Sequence, residues 1–280
     1  MAESGNATYI KWKYQHPPAF QSFWFEQIDY DAWKQYAATN WTFSFYASVL
    51  YLVVIFSLKQ VMKDRAPLKI RWALIFWNVC LGIFSTIGFL RTGQELMNVL
   101  MTPGGFHKSI CSRVGLNPPA AFYSVAFALS KYVELGDTIF IILYSKQPLQ
   151  FLQWYHHCST LVLAWKVMPY SEPIFRYYGV MNYGVHAIMY PYFALKVMGI
   201  RIRREFSMII TGLQMGQFFL GVGLNVYSVH VISKHGPEAC ARHSVSIKWI
   251  GGIYASFLIL FAHFFYERYL SKRKAILKTD

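Results

Sequence analysis

The sequence predicts an all-α protein that crosses a membrane several times, and three observations carry that prediction. The 280 residues are 55% hydrophobic and only 14% charged, where a soluble domain carries about 25% charged residues. The apolar residues fall in blocks close to the ~20 residues that cross a hydrocarbon core, separated by short polar loops. Backbone groups in lipid must be paired within their own segment, so each block reads as a helix.

Residues 1–42 are aromatic-rich and mixed in charge, which suits a segment lying on the lumenal membrane surface. They lack the apolar region of a secretory signal peptide, so the first span is expected to act as an uncleaved anchor. The spans are expected at 43–58, 72–90, 120–144, 154–169, 178–198, 206–228 and 246–266. These seven helices form one transmembrane domain, 43–266, followed by a basic tail, 267–280. The stretch 102–119 is rich in Gly and Pro and reads as a surface loop.

The net charge of +14 could suggest a nucleic-acid partner, but its distribution excludes one. The segments 59–71, 145–153, 199–205 and 267–280 fall on one side and hold 14 Lys and Arg. The other side holds nine, offset by seven acids. By the positive-inside rule the basic side is cytosolic, which puts the N-terminus in the lumen and the C-terminus in the cytosol. Asn6-Ala7-Thr8 is then a lumenal glycosylation sequon. Cys111 and Cys240 fall in loops on the oxidising side and are expected to form a disulfide; Cys80 and Cys158 lie inside spans.

Polar residues inside these spans are costly unless they face a protein interior or a wet cavity. In the third span Lys131, Glu134 and Thr138 share one helix face, with Asp137 at its edge. They form either a buried ion pair that fixes packing or the wall of a functional cavity. In the fourth, Gln153 and His157 stand one turn apart beside His156. In the fifth, Asn182 lies one turn before His186, where its side chain can accept a hydrogen bond from the ring, and Met189 and Tyr190 continue the helix. Gln214 and Gln217 in the sixth either bond neighbouring helices or line the same interior. Lys146, Arg201, Arg203, Arg204, Arg268 and Lys272 are candidates for gripping an anionic head group.

Membrane oxidases ligate two irons with about eight histidines, a set that His156, His157, His186 and His263 cannot supply, so no metal is expected. Imidazole without a metal can serve as base or nucleophile, which makes acyl chemistry plausible. The rival classes are a seven-helix lipid transporter or receptor and a metal-dependent lipid oxidase. The first lacks visible repeats or broken helices.

Four signatures together resemble those of the very-long-chain fatty acid elongases. They are Lys131-x-x-Glu134-Leu135-x-Asp137-Thr138, His156-His157, His186-x-x-Met189-Tyr190-x-Tyr192, and Thr211-x-x-Gln214-x-x-Gln217. The residues around them look most like the branch acting on saturated and monounsaturated chains. The resemblance implies an endoplasmic-reticulum 3-ketoacyl-CoA synthase that joins acyl-CoA to malonyl-CoA with loss of CO2, using no cofactor. It implies six helices in an inverted barrel around a narrow tunnel, with the first helix outside. It further implies partner enzymes of the cycle (ketoreductase, dehydratase and enoyl reductase) and a homodimer. By position, His156 and His186 would do the chemistry and one would hold the acyl group. His157 would support them, and Lys131, Glu134, Asp137, Thr138, Asn182, Met189, Tyr190, Gln214 and Gln217 would position the substrate. The family box usually begins with His, whereas Gln153 stands there, so Gln153 is expected to orient by hydrogen bonding.

Overall fold

A computed structural model describes residues 9–10, 21–113, 116–145 and 148–271. Asn6, Lys146 and Lys272 lie outside the described residues. Among those described, the chain is helical throughout: α1 (Tyr30–Asn40), α2 (Thr42–Val61), α3 (Arg71–Leu100), α4 (Gly105–Cys111), α5 (Pro118–Ser145), α6 (Phe151–Val167), α7 (Phe175–Val197), α8 (Arg204–His235) and α9 (Ser244–Phe265). Each expected span falls on one long helix, α2, α3 and α5 to α9. By length and composition alone, α2, α3, α8 and the stretch Ser244–Leu270 are long and apolar enough to cross a membrane. The helices between them, α5, α6 and α7, carry three of the four polar signatures, and α8 carries the fourth.

Two helices run well past their apolar blocks. α3 continues to Leu100 and α8 to His235, so the segment expected to be loop from 91 onward is partly helix. The reason is partnering: Glu95 on α3 is buried and receives the guanidinium of Arg176 at 2.7 Å. Hydropathy falls there, but the helix has no cause to end. The turn-rich stretch also contains the short α4.

Local chemistry sets several ends. Asp29 caps α1 by accepting the Ala32 amide at 2.9 Å. His243 Nδ1 accepts the Val245 amide at the start of α9. Gly199, with φ of 84°, follows α7. Arg71 opens α3 and donates to the last carbonyls of α7, Val197 O at 3.0 Å and Met198 O at 2.6 Å, which offsets the negative end of that helix.

α3 packs on α5 and α7, α7 on α8, α8 on α9, α9 on α6, and α6 on α5, while α2 lies against α5 and α6. The α3–α7 pair is the most extensive, because small residues let the two backbones approach. A Cβ on Gly88 would sit 2.7 Å from the Tyr183 ring, and one on Gly184 would sit 3.0 Å from Phe89. At the far end from the basic loops, Cys111 and Cys240 form a disulfide that ties α4 to the loop before α9. Beside it Arg242 bonds Glu172 and also reaches Ser228 and Asn225.

Gly88→Leu is expected to lower the Tm in detergent, in keeping with the roughly 1–3 kcal/mol that overpacking costs. Gly93→Leu should leave it unchanged, since a Cβ there meets nothing within 4 Å.

Candidate functional site

The expected polar residues converge on α5, α6 and α7. On α5, Lys131 and Glu134 are one turn apart and buried, with Nζ at 2.8 and 3.0 Å from the two carboxylate oxygens. The spacing along the helix makes the pair, and neighbours complete it. Ser130 donates to Glu134 at 2.9 Å, and the Lys131 ammonium stands 4.1 Å from the centre of the Phe127 ring. The third ammonium contact crosses to α7, where Asn182 Oδ1 lies 2.9 Å away.

That last bond fixes how Asn182 meets His186. An ammonium has no acceptor, so the atom facing Lys131 must be the amide oxygen. The amide nitrogen then faces His186 Nε2 at 3.4 Å. Nε2 therefore accepts, and the ring hydrogen sits on Nδ1, 3.8 Å from Glu134 Oε1. The sequence suggested the opposite sense, with Asn182 accepting from the ring. The charge of Lys131 reverses it.

α6 brings His156 to the same cavity. Its ring packs against Phe257 at 4.8 Å and Phe218 at 6.1 Å between centroids, with Phe261 at 6.2 Å. Within this apolar cage His156 Nδ1 is buried and has no hydrogen-bond partner among the described residues. Such an orphan is uncommon, since buried polar atoms are nearly always paired. His156, Thr160, Lys131 and Asn182 line one cavity with Phe218 and Phe257. His186 is not among its walls and reaches it through Asn182. His157 meets His156 edge-on at 5.8 Å. Gln153 stands in the first turn of α6 and, among the described residues, its side chain makes no hydrogen bond to either histidine.

The remaining candidates form neighbouring nodes. Asp137 receives Trp77 Nε1 at 2.6 Å and the Tyr190 hydroxyl at 2.9 Å. Tyr190 in turn packs edge-on against His186 at 5.2 Å. Thr138 pairs with the Tyr51 hydroxyl at 2.6 Å. Gln214 contacts Met189 Sδ at 3.3 Å, and Gln217 is buried on α8. Of the basic candidates, Arg203 is exposed beside Glu205, Arg201 is exposed, and Arg204 reaches the backbone carbonyl of Arg268 at 3.3 Å. Among the described residues no group of three or more His, Cys, Asp and Glu side chains is placed to hold a metal ion.

Sequence reasoning missed Trp77, Tyr51, Thr160 and the three phenylalanines around His156. Trp77 and Tyr51 sit in apolar runs with nothing to mark their hydroxyl or indole as paired. Phe257 and Phe261 share a face at one-turn spacing, which marks packing without naming its partner.

Residues 36–276 match the family described as ELO: GNS1/SUR4 family. Very long chain fatty acid elongase 6 of Mus musculus is 41% identical over 249 residues, covering 88% of this chain and 91% of that protein. Its Drosophila melanogaster namesake is 40% identical over 240 residues, 85% of this chain and 75% of that protein. Putative fatty acid elongase 4 of Caenorhabditis elegans is 35% identical over 279 residues, 98% and 94% of the two chains. A buried histidine cavity inside apolar helices, with these relatives, defines a membrane enzyme of lipid metabolism. The chain belongs to the ELO (GNS1/SUR4) family of fatty acid elongases.

Removing one partner of a buried pair leaves an uncompensated charge, at a cost of about 3–5 kcal/mol. Glu134→Leu is therefore expected to lower the Tm in detergent sharply, whereas Lys131→Met with Glu134→Leu together should recover most of the loss. A double variant as unstable as the single one would contradict the pairing.

Proposed function

We propose that the chain condenses a long-chain acyl-CoA with malonyl-CoA to give a 3-ketoacyl-CoA two carbons longer, through an acyl group held on His156. The observation that carries this reading is the unpartnered Nδ1 of His156 in its phenylalanine cage. A neutral imidazole nitrogen with no competing hydrogen bond is free to attack a thioester carbonyl. The carbon–sulfur bond breaks, CoA leaves as the thiol with the imidazole proton, and the acyl group remains on nitrogen. Malonyl-CoA then loses CO2, and its C2 electron pair attacks the acyl carbon. The nitrogen–carbon bond breaks, and a proton restores the imidazole.

Lys131 and Asn182 line the same cavity. The Lys131 N–H groups already serve Glu134 and Asn182, so Lys131 would act on the thioester oxygen and the malonyl carboxylate through its charge, and Asn182 through its second amide hydrogen. Their bonds to Glu134 and His186 keep them oriented before substrate arrives. His186 carries its hydrogen on Nδ1 and serves as a proton donor and acceptor. Asp137, Thr138, Met189, Tyr190, Gln214 and Gln217 position these groups through the neighbouring helices, with His157 supporting His156. Gln153 is a neutral amide in the first turn of α6, one turn before His156 and His157.

The same reading makes the seven long helices transmembrane spans, with 1–42 lumenal and 267–280 cytosolic in the endoplasmic reticulum. The order of helix contacts supports a barrel of α3, α5, α6, α7, α8 and α9, with α2 outside. The basic loops after α5 and α7, with Arg201, Arg203, Arg204 and Arg268, would take the CoA phosphates. A homodimer and hand-over of product to the ketoreductase, dehydratase and enoyl reductase of the cycle complete the proposal, as does glycosylation of Asn6.

His156→Ala is expected to abolish chain extension when purified protein is incubated with acyl-CoA and radiolabelled malonyl-CoA. Gln153→His should retain activity. An active His156→Ala enzyme would remove the acyl-histidine route.

A further inference from the structure

The cavity beside His156 has a neighbour. A second, larger cavity lies along α5, α6 and α7 toward the disulfide end, and the two share Phe127, Ala164 and Phe175. The two adjoin at these three shared side chains, a narrowing through which an acyl chain would have to pass. The walls beyond the narrowing are mostly apolar or small. One part of the wall is different: Glu95, Arg176, Glu172 and Ser171 line the second cavity, all buried. An acyl chain gains from every methylene it buries along the apolar wall, and gains nothing by pressing its methyl end against a buried ion pair.

Gly179 lines this second cavity, one turn of α7 after Phe175. Its backbone is ordinary helix, and a Cβ added there meets no atom within 4 Å. Neither conformation nor helix packing calls for glycine, in contrast to Gly88 and Gly184 on α3 and α7. The open space beside it is the cavity itself. On the opposing helix α5, Ser124 lines the same chamber and turns its hydroxyl back to the Ala120 carbonyl at 2.7 Å, leaving a small, locally satisfied surface.

We propose that Gly179 and Ser124 are specificity-determining residues, whose small size sets the longest acyl chain that the distal chamber admits. The inference rests on the elongase reading above. Neither residue touches the reacting atoms, so short acyl chains that end before the chamber should be handled as before.

The test measures initial rates of 3-ketoacyl-CoA formation across a series of saturated acyl-CoAs, with malonyl-CoA, for purified wild type, Gly179→Ala, Gly179→Leu and Ser124→Leu. Gly179→Leu and Ser124→Leu are expected to lower kcat/KM for the longest accepted chain at least tenfold while leaving the shortest unchanged. The preferred product becomes at least one cycle shorter, and Gly179→Ala falls between wild type and Gly179→Leu. An unchanged length profile in both leucine variants, or a uniform loss at every length in both, overturns the proposal. A wild-type enzyme that forms no 3-ketoacyl-CoA from any chain length overturns the elongase reading instead.

Discussion

The buried pair of Lys131 and Glu134 is the interaction on which the site depends. Two charges inside an apolar bundle are tolerated only if nearly every hydrogen-bonding position is filled. Here the ammonium uses both carboxylate oxygens and Asn182, and the carboxylate also takes Ser130. The pair therefore dictates what its neighbours do. It turns the Asn182 oxygen toward α5, which turns the amide nitrogen toward His186, which fixes the proton on the far side of that ring. One ion pair on α5 thus sets the state of a histidine on α7.

For that chain of bonds to hold, α5 and α7 must keep their register. The α3–α7 contact supplies this through glycines that admit Tyr183 and Phe89, and Tyr183 then bonds the Tyr123 carbonyl on α5 at 2.8 Å. At the disulfide end, Arg176 and Arg242 are paired with Glu95 and Glu172, and Cys111 is linked to Cys240. The polar groups thus concentrate at two levels. One orders the candidate site, and the other lines the second cavity toward the disulfide.

Much of this was legible in the residues. The apolar blocks located the long helices to within a turn at most ends, because lipid leaves the backbone no alternative to helix. The spacing of Lys131 and Glu134, and of Asn182 and His186, placed each pair on one face. Three things were not legible. The reach of α3 past residue 90 depends on Glu95 finding Arg176, a partner 81 positions away. Trp77 and Tyr51 look like membrane-facing aromatics until Asp137 and Thr138 meet them. The orientation of Asn182 follows from a charge on another helix, which no local pattern encodes.

His156 is the opposite case: its importance lies in what it does not bond. Caged by phenylalanines, its Nδ1 has no hydrogen-bond partner among the described residues, while His186 is held in a network. The two histidines are thereby suited to different work, one to carry an acyl group and the other to manage protons. The most direct test is to incubate the purified protein with a long-chain acyl-CoA alone, digest it, and locate any acyl group by mass spectrometry. The acyl-histidine route predicts one acyl group on His156, with CoA released in equal amount, and its discharge when malonyl-CoA is added. A protein that stays unacylated yet elongates once both substrates are present would contradict it, as would an acyl group found on Cys158 or His186 instead.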